Sequence, residues 1–141
     1  MRLPRLLPAV LALASAALVA STAQTRAEVR ISNDQGGSYR AYVNKVQGLR
    51  DSGEHVVIDG PCYSACTLHL SLPPGQVCAT SRGRFGFHLV RDAQFGYPVP
   101  ATNQELLRSY PVAVRNWISR NGGLRTDLIF APASQFLPAC R

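Results

Sequence analysis

EVRISNDQGGSYRAYVNKVQGLRDSGEHVVIDG, residues 28–60, is the stretch that decides the fold. Glu28 to Ser32 alternates polar and apolar residues around Val29 and Ile31, as a half-buried strand does, and Asn33-Asp34-Gln35-Gly36-Gly37 then breaks the pattern. Ser38 has the residue type of an N-cap. Tyr39, Tyr42, Val43, Val46 and Leu49 recur at helical spacing until Ser52-Gly53 closes the segment. Val56-Val57-Ile58 is a run of β-branched residues, apolar on both faces, which reads as a buried strand. Strand, glycine turn, helix and strand make a βαβ unit. Its two strands are expected to be parallel neighbours joined by a right-handed crossover, so the fold class is α/β.

Upstream, Arg2 and Arg5 precede an apolar run from Leu6 to Ala20, and Ser21-Thr22-Ala23 supplies the small residues of a signal-peptide cleavage site; Thr25-Arg26-Ala27 is a second candidate. The run is about 15 residues, short of the roughly 20 that span a bilayer, and Pro8 interrupts it. Residues 1–23 are therefore expected to be removed, leaving a single domain over 28–141 in the periplasm or secreted. The chain carries 15 Lys and Arg against 8 Asp and Glu, a net charge of +7, of which Arg2 and Arg5 would leave with the signal. The remaining arginines are scattered and no basic run interleaves with aromatics, which speaks against a nucleic-acid partner. An anionic membrane or wall surface stays open as a contact.

Downstream, Gly60-Pro61 ends the second strand, and Ser64 to Leu72 reads as a short helix stopped by Pro73-Pro74. Gln76 to Ala79 and Arg84 to His88 read as two strands around the turn Ser81-Arg82-Gly83, and Leu89 to Pro100 as loop. Thr102 with Glu105 has the pattern of a capping box, predicting a helix start there. Pro111 starts another helix, with Val114, Trp117 and Ile118 on one face and Asn121-Gly122-Gly123 at its end. Thr126 to Arg141 is ambiguous.

Cys62, Cys66, Cys78 and Cys140 are an even set, which in an oxidising compartment reads as two disulfides with three pairings open. The short helix and the next strand favour Cys66 with Cys78, leaving Cys62 for Cys140. Zinc held by Cys62, Cys66, His69 and Cys78 is the rival reading, but C-x3-C-x2-H-x8-C lacks paired C-x2-C knuckles. The sequence calls for no cofactor.

Three features fall where parallel α/β folds place their sites, at the carboxyl ends of strands. Gly36-Gly37 can turn backbone N–H groups toward an anion, or can simply be a tight turn. Ser64, at a helix start after a strand, sits where unpaired N–H groups and the positive end of the helix suit a nucleophile; serine is equally a common N-cap there. His88 ends the strand Phe85-Gly86-Phe87 and could take the serine proton if the two strands are neighbours.

In this order the three resemble the proteolytic subunit of Clp protease and its crotonase-like relatives. Ile31 to Ser38 resembles that family's strand and Gly-Gly-Ser segment, Gly60 to Ala65 its nucleophile turn, and Arg84 to His88 its strand ending in the catalytic histidine. The likeness runs from about Val29 to His88. It implies a ClpP/crotonase-like fold, a small parallel sheet built from βαβ units with flanking helices. It also implies Ser64 as nucleophile, His88 as general base, and the N–H groups of Gly37 and Ala65 as oxyanion hole, acting on a peptide or small acyl substrate. The family's aspartate has no clear match: Asp127 falls nearer the histidine than the pattern expects, Asp92 is too close, and the glycine-rich strand after the histidine is missing. The expected function is a Ser-His dyad peptidase or acyl hydrolase, with a catalytically inactive binding or envelope-structural domain as the alternative.

Overall fold

The computed structural model describes residues 27–141, so the segment read as a signal peptide lies outside the described residues. β1 (Glu28–Ile31) leads through the glycine turn into α1 (Tyr39–Ser52) and β2 (His55–Ile58). β1 and β2 are parallel neighbours, Val29 beside Val56 and Ile31 beside Ile58. Ser38 caps α1, its Oγ accepting the Ala41 N–H at 3.4 Å, and Gly53 closes the helix at φ 68°, a left-handed conformation that glycine adopts without a Cβ penalty.

After β2 comes a strand not anticipated from the sequence, β3 (Pro61–Tyr63), and then a 3₁₀ helix, Ser64–Ser71. β4 (Val77–Ala79), β5 (Arg84–Phe87), α2 (Pro100–Ser109), α3 (Val112–Arg120) and β6 (Ile129–Pro132) complete the order. In place of one small parallel sheet there are two three-stranded sheets. The first, β1-β2-β4, is wholly parallel, whereas the second, β3-β5-β6, pairs β3 with β5 in parallel and β5 with β6 antiparallel. β4 and β5 share a turn but leave it for different sheets.

Gly60 is the point of transfer between sheets. A Cβ there would lie 2.0 Å from the carbonyl oxygen of Ser32, so the chain passes against the end of β1 only because the side chain is missing. Gly60→Ala is therefore expected to cost more than about 3 kcal/mol, since the obstacle is backbone that cannot swing aside. Urea unfolding of the two proteins would measure it.

Val56, Val57, Ile58, Phe85 and Phe87 are almost wholly buried. Phe87 meets Tyr110, Trp117 and Phe136 at ring-centre distances of 5.7, 5.7 and 6.0 Å, which fastens α3 and the C-terminal segment onto β5. The capping-box reading is corrected: α2 begins at Pro100, and Thr102 lies inside its first turn. Proline is preorganised for the first helical position, and the buried Asn103 amide ties that turn to Val90 and Val99 instead.

Both disulfides form, but in another pairing: Cys62 with Cys66 and Cys78 with Cys140. The chain reverses sharply between Tyr63 and Ala65, which folds Cys66 back over Cys62 with Cα atoms 5.2 Å apart. The tail lies along β4, Ala79 N–H donating to Pro138 O and Cys140 N–H to Ala79 O, each at 3.0 Å, and this lays Cys140 beside Cys78. Two disulfides fit an oxidising compartment. Among the described residues no helix is long and apolar enough to cross a membrane.

Candidate functional site

Ser64 immediately follows β3, and His88 immediately follows β5. These strands are parallel neighbours with Tyr63 beside Gly86, so both residues leave the same edge of the second sheet. The condition set on the sequence, that the strands carrying serine and histidine be neighbours, is met through β3 rather than β2.

Ser64 is the one non-glycine residue with positive φ among the described residues, at 54°. An L-residue in that region costs of order 1–2 kcal/mol, because Cβ crowds the backbone. Its side chain does not cap the helix: Tyr63 occupies the N-cap position, without a side-chain cap bond. The Ser64 carbonyl is held by Thr67 Oγ1 at 2.6 Å, and Thr67 in turn bonds the buried Tyr110 hydroxyl, whose phenol burial pushes up. The turn is thus braced from the core while the hydroxyl is left unoccupied among the described residues.

Gly36 packs directly against this turn. A Cβ on it would lie 2.6 Å from Ser64 Cβ and 2.9 Å from Ala65 N, and its φ of 84° independently favours glycine. Asp34 sets the approach. Its carboxylate accepts the Gly36 N–H at 2.9 Å, an Asx turn, while its backbone bridges to β3 through Asp34 N–H to Pro61 O at 2.8 Å and Tyr63 N–H to Asp34 O at 2.9 Å. The Gly37 N–H has no acceptor among the described residues, and the Ala65 N–H lies in the first helical turn, where amides lack intrahelical partners. Asp34 was not singled out on the sequence; Asp-x-Gly before a helix is the signal that would have found it.

Ser64, Ala65, Gly37 and His88 all line one cleft of about 800 Å³. His88 Nδ1 lies 2.6 Å from Leu89 O and so carries the proton of that bond, leaving Nε2 with a free lone pair. No hydrogen bond joins Nε2 to Ser64 Oγ, a looseness common in ligand-free catalytic sites. Asp127 is exposed, does not line the cleft and makes no hydrogen bond to His88, so the backbone carbonyl of Leu89 occupies the place of an orienting carboxylate. Asp92 does line the cleft, but its Oδ1 accepts the N–H groups of Gln94 and Phe95 at 2.9 and 2.8 Å.

No family model, curated protein or solved structure matches the chain. What the site can do is thus read from its own atoms: a hydroxyl on a strained turn, an imidazole of fixed tautomer, and two backbone donors at one surface.

The rival zinc set is only partly assembled. Donor atoms of Cys62, Cys66 and His69 lie within 4.8 Å of one another, but both sulfurs are in a disulfide, which offers no thiolate, and Cys78 is bonded to Cys140. His69 is fully buried; Nδ1 is 2.7 Å from Cys66 O, and Nε2 has no partner among the described residues. Burial pushes its pKa below the usual histidine value, against the smaller upward pull of the Cys66 carbonyl.

The folded state therefore resists a proton that the unfolded chain accepts with a pKa of about 6.5. The stability from neutral His69 is present above that pH and is lost as pH falls below it. The melting temperature is expected to decline from pH 7.5 to about 5, with a flatter slope in His69→Gln. Asp59 adds a second loss at lower pH. Its carboxylate is almost wholly buried against Arg82, Thr80 and Arg30, contacts that hold it well below the usual carboxylate range. Its contribution persists to more acid pH and disappears only as that lowered pKa is approached.

Proposed function

We propose that the chain is an exported serine acyl hydrolase or peptidase with a ClpP/crotonase-like fold, using Ser64 as nucleophile and His88 as general base. The observation that carries this reading is Ser64 itself: a serine held at φ 54° at a strand-to-helix junction, capping nothing, in the cleft that His88 lines. Backbone strain at an exposed polar side chain is what a nucleophile turn requires and what a helix cap does not.

Ser64 Oγ attacks a carbonyl carbon as its proton passes to His88 Nε2. The N–H groups of Gly37 and Ala65 receive the oxyanion, donors of a kind whose individual loss costs about 3 kcal/mol of barrier. Collapse breaks the bond to the leaving group, which takes the proton from His88. Water, deprotonated by the same imidazole, then attacks the acyl-serine, and its departure as the acid restores Ser64. Nδ1 donates to a neutral carbonyl rather than a carboxylate, so the imidazolium formed in these steps is less stabilised than in a triad. Slow turnover follows.

Periplasmic or secreted operation is part of the same proposal, supported by the two disulfides and by the leader-like start of the sequence. The test is labelling of the purified protein with a fluorophosphonate probe. Labelling of the wild type that is absent from Ser64→Ala supports the hydrolase; an unlabelled wild type leaves the domain as a non-catalytic binding module, the reading favoured by the lack of a carboxylate at His88.

A further inference from the structure

The cleft around Ser64 carries a charge pattern that neither the fold nor the proposed chemistry needs. Arg40, in the first turn of α1, and Arg91, on the loop after His88, both line it. Among the described residues neither guanidinium has a carboxylate within ion-pair distance, and neither donates a hydrogen bond. Asp92, the one acid lining the cleft, has an oxygen committed to two loop amides. No acidic residue stands in the first turn of α1, whose amino end opens on the same space.

The segment bearing Arg91 is held in place. Asn103, buried in α2, accepts the Val90 N–H at 2.7 Å and donates to Val90 O and Val99 O at 3.0 and 2.9 Å. Arg91 bridges to Pro98, and Asp92 N–H donates to Tyr97 O at 2.8 Å, so the loop is a closed hairpin. A guanidinium on a fixed stem loses less freedom when it grips a planar anion, and it matches a carboxylate with two parallel N–H donors. Between the arginines the lining turns apolar at Ala65, Val90, Val99 and Leu106.

We infer that the cleft selects acyl groups ending in a carboxylate: a short apolar stem against Val90, Val99 and Leu106, with its terminal anion at Arg40 and Arg91. This rests on the hydrolase reading for the reaction, but the anion recognition stands on the arginines alone. An acidic side chain next to a scissile bond and a dicarboxylate half-ester present the same chemistry.

The experiment compares p-nitrophenyl butyrate with the p-nitrophenyl half-ester of glutarate, and separately follows glutarate binding to Ser64→Ala by calorimetry. The half-ester is expected to show a kcat/KM at least about tenfold higher, a preference that shrinks between about 0.05 M and about 0.5 M salt as screening grows. The preference should collapse in Arg40→Gln/Arg91→Gln, as should glutarate binding when those changes are added to Ser64→Ala. Equal kcat/KM for the two esters, or a preference for butyrate, overturns the inference. If neither ester turns over, the hydrolase reading fails on its own, and calorimetry decides the remainder: arginine-dependent glutarate binding supports the anion site, and no binding overturns it.

Discussion

Ser64→Ala is expected to abolish fluorophosphonate labelling and to lower ester hydrolysis by at least about a thousandfold, with little change in stability. Removing a nucleophile costs several orders of magnitude because the remaining groups can only bind and polarise the substrate. The stability half of the expectation is what separates a nucleophile from a cap. A capping serine replaced by alanine costs about 1 kcal/mol. Here the hydroxyl makes no cap bond, and alanine tolerates φ 54° no better or worse than serine. Ser64→Gly sharpens the contrast, since glycine relieves the left-handed conformation and offsets its own chain entropy. It should match or exceed wild-type stability, by up to about 1 kcal/mol, while remaining inert to the probe. Thermal unfolding beside probe labelling reads both quantities. A Ser64→Gly protein less stable than wild type by more than about 1 kcal/mol would show that the serine is structural.

The two disulfides are expected to divide their effects in opposite ways. Cys78–Cys140 closes a loop across a sequence separation of 62, Cys62–Cys66 across only 4. On the chain-entropy account, replacing both cysteines of the long bridge by alanine costs about 4 kcal/mol, and of the short one about 2 kcal/mol. For a domain of this size the larger loss corresponds to a fall in melting temperature of roughly 15 °C. The order should invert at the site. Cys62 and Cys66 bracket Ser64, so opening that ring frees the strained turn, and the labelling rate should fall far more than when the distant Cys78–Cys140 bridge is lost. Denaturant unfolding and labelling rates on the two double variants measure both orders. A short-bridge variant that labels at the wild-type rate would mean that Gly36, Thr67 and Tyr110 alone hold the turn.

The first half of the chain was legible in its sequence because its signals are local and agree with one another. The β-branched run at Val56-Val57-Ile58, the helical spacing from Tyr39 to Leu49, the Ser38 cap and the Gly53 stop each follow from near neighbours, and together they produce the parallel β1-α1-β2 unit. The second half depended on contacts between distant segments. β3 is three residues with a proline at its start, too short for any periodicity, and exists because β5 and the bridge from Asp34 pair with it.

For the site, the sequence by itself supplied the residues: a serine in a turn, a histidine ending a strand, and paired glycines. Only the tertiary structure decided their arrangement. It placed Ser64 and His88 at one edge through β3 and β5, gave Ser64 its positive φ, and set Leu89 O where an aspartate was sought. It also chose the cysteine pairing. The physical reason is common to all of these. Cap, turn and strand preferences act over a few residues and are written in the residue types, whereas a disulfide, a strained dihedral or an orienting hydrogen bond is fixed by which distant segments the core brings together.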